Sequence, residues 1–316
     1  MTIWLPRSSI RLEAITMTYR RLLSVFAVVI WVAVAFTSAS RALPHRNTID
    51  NSSTHDSPAT SCSDLHIRFD HHDAVMQSEE RTITKAEAPT LRILAESNGG
   101  VQVRGWDQDT YSVTLCKAVE PGSDADSLLS SIHLTFQNGE LGVAGPSAHE
   151  HWAAHLLIRA PKAAALDLQV KNGPMGLYHV DGKLKIRAQN GPVTVIGCTG
   201  ELDLSAQNGP VTLEGNGGKQ TVHAENGPVT LSLSGNSWEG AGIEAHANNG
   251  PIKVQIPSGY KSGVLLESNG NSPMRCDASV CSEGRKTWDD DLRRIEFGSG
   301  PTLVRVSTNN GPVSVD

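Results

Sequence analysis

The sequence predicts an all-β fold, a β-solenoid with coils of roughly 18–20 residues. Asn-Gly-Pro recurs at four asparagines spaced 18 residues apart and returns twice further along; the six are Asn172, Asn190, Asn208, Asn226, Asn249 and Asn310. Apolar and polar residues alternate on both sides of each copy, which is typical of two short strands joined at a turn. One such unit cannot bury its own apolar face, so neighbouring units are expected to stack.

Residues 1–41 are predicted to be a secretory signal peptide. Arg20 and Arg21 precede an apolar run, Leu22–Phe36, and the small residues near Ala39 and Ala42 supply a cleavage site. The run of about 15 residues is shorter than the roughly 20 that a spanning helix needs. A cleaved signal is therefore favoured over an uncleaved anchor, which would be the protein's one link to a membrane. The protein is expected to be exported: periplasmic, at the cell surface or secreted.

Residues 42–64 are predicted to be a disordered linker, because they are rich in polar residues and proline and have little to bury. Residues 65–316 are then expected to form a single β-solenoid domain. Earlier copies without the proline occur at 91–103 and at 132–143, each around an Asn-Gly pair. The segment 127–131 and an excursion at about 276–294 are the expected interruptions.

The alternation fixes which side chains point inward. In the first predicted sheet these are Leu166, Leu168, Val170, Leu184, Ile186, Ala188, Leu202, Leu204, Ala206, Val222 and Ala224. In the second sheet they are Val193, Val195, Val211, Leu213, Val229 and Leu231. All are apolar, so the polar residues between them must face outward.

The asparagines of the six corners are predicted to be structural. Glycine permits the positive φ that a corner needs, while proline fixes its own φ and lacks an N–H donor. Stacked asparagine side chains can hydrogen-bond one another, as amide ladders do in cross-β assemblies. Ligand binding by this column is the less favoured alternative.

Five cysteines suit disulfide bonding in an exported chain, although at least one must stay unpaired within the chain. Cys276 and Cys281 are the candidate pair, because they bracket a four-residue loop. Two free thiols are the alternative. The pairing of Cys62, Cys116 and Cys198 stays open.

A formal net charge of −6 gives no support for a nucleic-acid partner, which would need a concentrated basic face. The glycines lie at predicted corners, and none leads into a helix as a phosphate-binding loop would. No cofactor is expected.

Ser97–Trp106, the strand end Leu157–Pro161 and the Asn-Gly-Pro-Val copies resemble the bacterial DUF4097 family of adhesin-like proteins. The resemblance covers nearly the whole chain after about residue 90. It implies an exported β-solenoid, sometimes linked with envelope-stress responses, and it transfers no catalytic residues. The excursion at about 276–294 departs from the family pattern.

Outward residues of the first sheet form a candidate binding surface that contains Asp167, Lys185, Arg187, Asp203 and His223. Asp167 and Asp203 lie two coils apart, about 9.6 Å at a strand spacing of about 4.8 Å, which is the upper edge for an inverting glycosidase. Lys185 lies between them and is expected to pair with both. A solvated face of alternating charges is therefore favoured, and no catalytic residue is expected.

His149, His151 and His155 share parity, so on a strand they would face one side and form a weak candidate for a zinc or copper site. The alternation that follows, at Leu156 and Ile158, places His155 on the solvent side. An incidental group is favoured, and no metal is expected.

These patterns predict a non-enzymatic protein that presents extended sheets to an envelope polymer or a protein partner. Two alternatives are an envelope-stress sensor or regulator and a carbohydrate-active β-helix enzyme. A neighbouring histidine-kinase gene would favour the sensor, and glycan cleavage would favour the enzyme.

Overall fold

Strands account for almost all regular structure, which confirms the all-β prediction. The computed structural model describes residues 58–70, 72–147, 151–269, 272–289 and 292–316. For residues 48–50 and 97 it describes the backbone only. The predicted signal peptide and most of the predicted linker lie outside these residues. Within the described ranges, no helix is both long and apolar enough to span a bilayer.

The N-terminal strands are β1 (Thr48–Asp50), β2 (His66–Phe69), β3 (His72–Asp73), β4 (Val75–Thr84), β5 (Thr90–Asn98), β6 (Val101–Trp106), β7 (Thr110–Val119), β8 (His133–Gln137), β9 (Glu140–Ala144) and β10 (Trp152–Pro161). The repeat strands are β11 (Ala165–Asn172), β12 (Met175–Tyr178), β13 (Lys183–Asn190), β14 (Val193–Ile196), β15 (Glu201–Asn208), β16 (Val211–Gly215), β17 (Gly217–Asn226), β18 (Val229–Leu233), β19 (Glu239–Asn249) and β20 (Ile252–Gln255). The C-terminal strands are β21 (Gly263–Asn269), β22 (Met274–Cys276), β23 (Arg285–Trp288), β24 (Leu292–Phe297), β25 (Thr302–Asn310) and β26 (Val313–Val315). Helix α1 (Ala125–Ser131) occupies the first predicted interruption, and 3-10 turns lie at Cys62–Asp64 and Ser279–Ser282.

The described strands form two large sheets and one small sheet. The twelve-stranded sheet has the order β23-β24-β21-β25-β19-β17-β15-β13-β11-β5-β9-β8. The eleven-stranded sheet has the order β22-β26-β20-β18-β16-β14-β12-β6-β10-β7-β4. The small sheet is β1-β2-β3.

From β11 to β20 the chain alternates between the two large sheets, so each coil gives one strand to each of them. Neighbouring strands in this region are parallel. The regular period places equivalent residues side by side: Asn190 lies opposite Asn172 and Asn208, and Asn226 lies opposite Asn249 despite a longer coil between them.

The residues predicted to point inward are all buried and belong to one apolar cluster between the two large sheets. Leu168 and Val193, for example, have no exposed surface. Because a strand's side chains alternate between its faces, this burial places the intervening polar residues on the outer faces.

The C-terminal coils do not stack in chain order. The last coil, β25 and β26, pairs directly with β19 and β20, and the earlier strands β21 and β22 lie beyond it. Strands β21 and β22 are therefore separated from β19 and β20 by one strand in each sheet, and that position is occupied by β25 and β26. The predicted excursion contains the antiparallel pair β23 and β24, which extends the twelve-stranded sheet.

The predicted copy at 132–143 is a hairpin and not a coil. Strands β8 and β9 pair antiparallel, with Gln137 opposite Glu140. Asn138 and Gly139 have φ values of 50° and 77°, as a tight hairpin turn requires. In the coil copies at Asn172, Asn190, Asn208 and Asn226 the following glycine instead has a φ between 130° and 142°, and the chain continues to the other sheet.

The linker prediction for residues 42–64 is wrong at its C-terminal end. Residues 58–64 are ordered, and Cys62 forms a disulfide with Cys116 on β7. Ala59 packs with residues of the small sheet against β7 and β10; this second apolar cluster contains Leu65, Ile67, Phe69, Cys116, Ala118, Ala153 and Leu157. The small sheet and Ala59 thus cover part of the outer face of the eleven-stranded sheet.

Candidate functional site

The candidate site is the outer face of the twelve-stranded sheet, where β11, β13, β15, β17, β19 and β25 lie in parallel register. Outward positions form columns across these strands. The first is Asp167, Lys185, Asp203, Thr221, Glu244 and Arg305, and the second is Gln169, Arg187, Ser205, His223, His246 and Ser307. The next outward position of each strand gives the third column: Lys171, Gln189, Gln207, Glu225, Asn248 and Asn309.

Asp167 is paired with two arginines rather than with Lys185. Its carboxylate oxygens lie 3.8 Å from Arg92 Nε on β5 and 3.8 Å from Arg187 Nη1 on β13. Among the described residues, neither Lys185 nor Asp203 has an ion-pair partner within 4.0 Å. The predicted pairing of Lys185 with both acids is therefore wrong, because the guanidinium groups of two flanking strands reach Asp167 instead.

His223 belongs to a closed ring of four side chains. Its Nε2 lies 2.6 Å from Glu225 Oε1, and the Asn248 amide donates to Glu225 Oε2 at 2.7 Å. Asn248 Oδ1 in turn lies 3.0 Å from His246 Nε2. The two imidazole rings stack with centroids 5.5 Å apart and planes 12° from parallel, which closes the ring.

Further contacts fix this ring on the sheet. His246 Nδ1 lies 2.8 Å from Ser307 Oγ, and Asn309 donates to Asn248 Oδ1 at 2.9 Å. Hydrogen bonds from Asn248 and His223 hold the pKa of the Glu225 carboxyl below its usual range. Glu225 is therefore an ionised acceptor at neutral pH.

A shallow groove of about 510 Å³ crosses β5, β11, β13, β15 and β17 on this face. Gln169, Arg187, Ser205, Gln207 and Glu225 contribute to its lining. Amides, hydroxyls and charges thus repeat at strand spacing along an open surface, an arrangement suited to many weak contacts with an extended ligand.

A larger cavity of about 900 Å³ lies at the C-terminal end, beside β21 and β24. Lys261, Arg285 and Glu296 contribute to its lining, and Arg285 is paired with Glu296. Because it lies away from the columns, its size alone does not make it the candidate site.

The six asparagines of the Asn-Gly-Pro corners form a continuous ladder. Each amide donates to the side-chain oxygen of the preceding corner at 3.0–3.2 Å, from Asn310 through Asn249, Asn226, Asn208 and Asn190 to Asn172. Neighbouring asparagine side chains are thereby each other's hydrogen-bond partners along the stack.

The three candidate metal-binding histidines are not brought together in the described structure. His149 lies outside the described residues, and His151 Nδ1 is 2.6 Å from Glu120 Oε2. His155 is buried, so its predicted exposure is wrong: it has the expected parity, but the outer face at β10 is covered. Burial lowers its pKa to about 4. Across the described ranges, no three metal-binding side chains already converge on a common point.

Two disulfides and one free thiol account for the five cysteines. Cys276 is bonded to Cys281, and Cys62 to Cys116. Cys198 is buried, and desolvation raises its thiol pKa to about 12. An un-ionised buried thiol of this kind is a core residue rather than a nucleophile.

Sequence reasoning missed Arg92 and His246 as members of this face. His246 was detectable, because it precedes Asn249 by three residues just as His223 precedes Asn226. Arg92 lies on a proline-free copy with one extra residue before its turn, so the spacing alone did not place it beside Asp167.

No protein-family model matches the chain, and no curated protein matches it. Solved structures similar to it include a candidate cell-adhesion protein from Clostridium sporogenes (11% identity, 76% of this chain and 99% of that chain, TM-score 0.31). A candidate adhesin from Bacteroides fragilis is 9% identical over 77% and 97% of the two chains, with a TM-score of 0.39. A candidate lipid-binding protein from Parabacteroides distasonis is 9% identical over 76% and 96%, with a TM-score of 0.29. Similarity at this level carries no argument about function.

Proposed function

We propose that this protein is an exported, non-enzymatic binding protein of the DUF4097 type. The outer face of its twelve-stranded sheet contacts an extended polymer or protein partner of the cell envelope, as an adhesin-like surface would. One observation carries the proposal: parallel strands in register repeat the same outward positions along an open groove.

A repeating face of this kind binds through the sum of weak contacts. Each exposed ion pair contributes up to about 1 kcal/mol, so no single side chain is expected to dominate. A polymer that contacts several coils at once gains affinity because its later contacts form intramolecularly. Among the described residues Lys185 has no ion-pair partner within 4.0 Å, so its ammonium group can meet an anionic partner.

The test uses polygalacturonate, an anionic polysaccharide, immobilised as an affinity matrix. The double variant Lys185→Ala/Arg187→Ala is expected to bind roughly tenfold more weakly than wild type, since two cations are lost. The difference should shrink as salt is raised, because exposed charges are screened. The matched control Arg104→Ala/Lys253→Ala removes two outward cations from the eleven-stranded sheet and should retain wild-type binding.

Equal loss in both double variants would mean that net charge, and not this face, controls retention.

Catalysis is tested on the same matrix. We expect no shortening of the polymer by wild type; product formation that disappears in Asp167→Asn or Asp203→Asn would replace the binding function by the carbohydrate-active alternative.

A further inference from the structure

The ring of His223, Glu225, His246 and Asn248 brings nitrogen and oxygen donors together on an exposed part of the sheet. Both Nε2 atoms contact side chains of the third column, so both imidazoles direct the same nitrogen toward it. The side chains of His223 and Glu225 are 40% and 42% exposed, which leaves room for them to rotate. Two imidazoles with a carboxylate are the donor set that zinc and copper prefer.

The hydrogen-bond pattern is compatible with exchange of a proton for a metal ion. Asn248 Oδ1 is an amide oxygen and can only accept, so His246 Nε2 donates to it. In the neutral ring, Nδ1 then accepts from the Ser307 hydroxyl. A serine hydroxyl can also accept. If the His246 proton moves from Nε2 to Nδ1, the Nδ1–H donates a hydrogen bond to the Ser307 oxygen and Nε2 is free to ligate. Such an outer hydrogen bond fixes the orientation of a ligating imidazole.

The metal would take the place of the proton between His223 Nε2 and Glu225 Oε1, which lie 2.6 Å apart, and that proton would move to Nδ1 of the same ring. Ligand bonds of about 2.0–2.2 Å require these atoms to separate slightly. The His246 ring, stacked 5.5 Å from His223, must tilt toward the same point. These are side-chain rotations on a rigid pair of parallel strands, with no change in β17 or β19.

We propose that His223, His246 and Glu225 form a binding site for a divalent transition metal, with Asn248 as an additional oxygen donor. Copper(II) should bind more tightly than zinc(II), because sites with nitrogen and oxygen ligands generally have a higher affinity for copper(II). The site shares Glu225 with the proposed polymer-binding groove, but metal binding is measured without polymer, so either proposal can fail alone.

The experiment titrates tag-free protein with Zn²⁺ and with Cu²⁺ by isothermal calorimetry in a non-coordinating buffer at neutral pH. Wild type is expected to show a site that His246→Gln and Glu225→Gln each weaken by at least about tenfold. The controls His66→Gln and His133→Gln change exposed imidazoles outside the ring and should leave this site unaltered.

Wild-type NMR provides a readout that does not depend on variants. Metal should shift the imidazole resonances of His223 and His246 before those of His66 or His133. The proposal fails if wild type binds neither metal, if His246→Gln binds as tightly as wild type, or if the four histidines respond equally.

Discussion

The Cys62–Cys116 disulfide closes a much longer loop than Cys276–Cys281 does, and the two should therefore differ in their effect on stability. The sequence separations are 54 and 5 residues. The chain-entropy relation gives about 14 cal/mol/K for the long loop and about 7 cal/mol/K for the short one. At 25 °C these correspond to about 4 and about 2 kcal/mol.

We expect Cys62→Ala/Cys116→Ala to lower the free energy of unfolding by about 4 kcal/mol, and Cys276→Ala/Cys281→Ala to lower it by about 2 kcal/mol. Guanidinium denaturation under oxidising conditions measures both. Hydrogen exchange should also show loss of protection at residues 58–70 in the first variant, because the disulfide holds that segment on β7. The reasoning is refuted if the short-loop variant is destabilised as much as the long-loop one.

Three further predictions concern the core, a corner and a buried histidine. Ala206→Asp should lower the free energy of unfolding by at least about 3 kcal/mol, because it buries an unpaired charge. Gln207→Asp, on the outer face, should change it by no more than about 0.5 kcal/mol. Equal losses of melting temperature in the two variants would contradict the assignment of Ala206 to the inner face. Gly209→Ala should lower the free energy of unfolding by about 1–3 kcal/mol, because φ at this glycine is +132° and an added Cβ would lie 2.3 Å from a backbone oxygen. Gly122→Ala, which has open space around it, should be tolerated. The urea midpoints of the two variants measure the difference. Burial lowers the pKa of His155 from 6.5 to about 4, so the imidazole stays neutral in the folded protein but takes up a proton in the unfolded chain. The free energy of unfolding of wild type should therefore fall by up to about 3 kcal/mol as pH falls from 6.5 to 4. A His155→Phe variant that keeps the same pH dependence of stability would rule this out.

Features that depend on the local period could be predicted from the sequence. The positions of Ala206 and Asn208 follow from alternation and from the 18-residue repeat, and each is where that pattern puts it. A longer coil does not disturb the pattern, because Asn249 still pairs with Asn226. Because the strand register is set again at every corner, a coil of different length does not shift the register of the coils that follow it.

Features that depend on distant parts of the chain could not be predicted in this way. The two faces of β10 look alike in an alternation argument, and only the position of residues 58–69 makes one of them buried. The same holds for β19, which pairs with the last long strand, β25, rather than with β21, the next strand of that sheet in chain order. Both outcomes depend on which surfaces meet after the chain has folded, and periodicity contains no information on that.

The covered face also bears on where a partner can bind. The small sheet and Ala59 occupy the outer face of the eleven-stranded sheet at β7 and β10, and the Cys62–Cys116 disulfide holds them there. The outer face of the twelve-stranded sheet, by contrast, leaves Lys185, Asp203 and Gln207 exposed across successive strands of the stack. A long ligand that follows the coils therefore meets an uninterrupted set of polar columns on the twelve-stranded sheet, and that sheet is the one on which binding should be sought first.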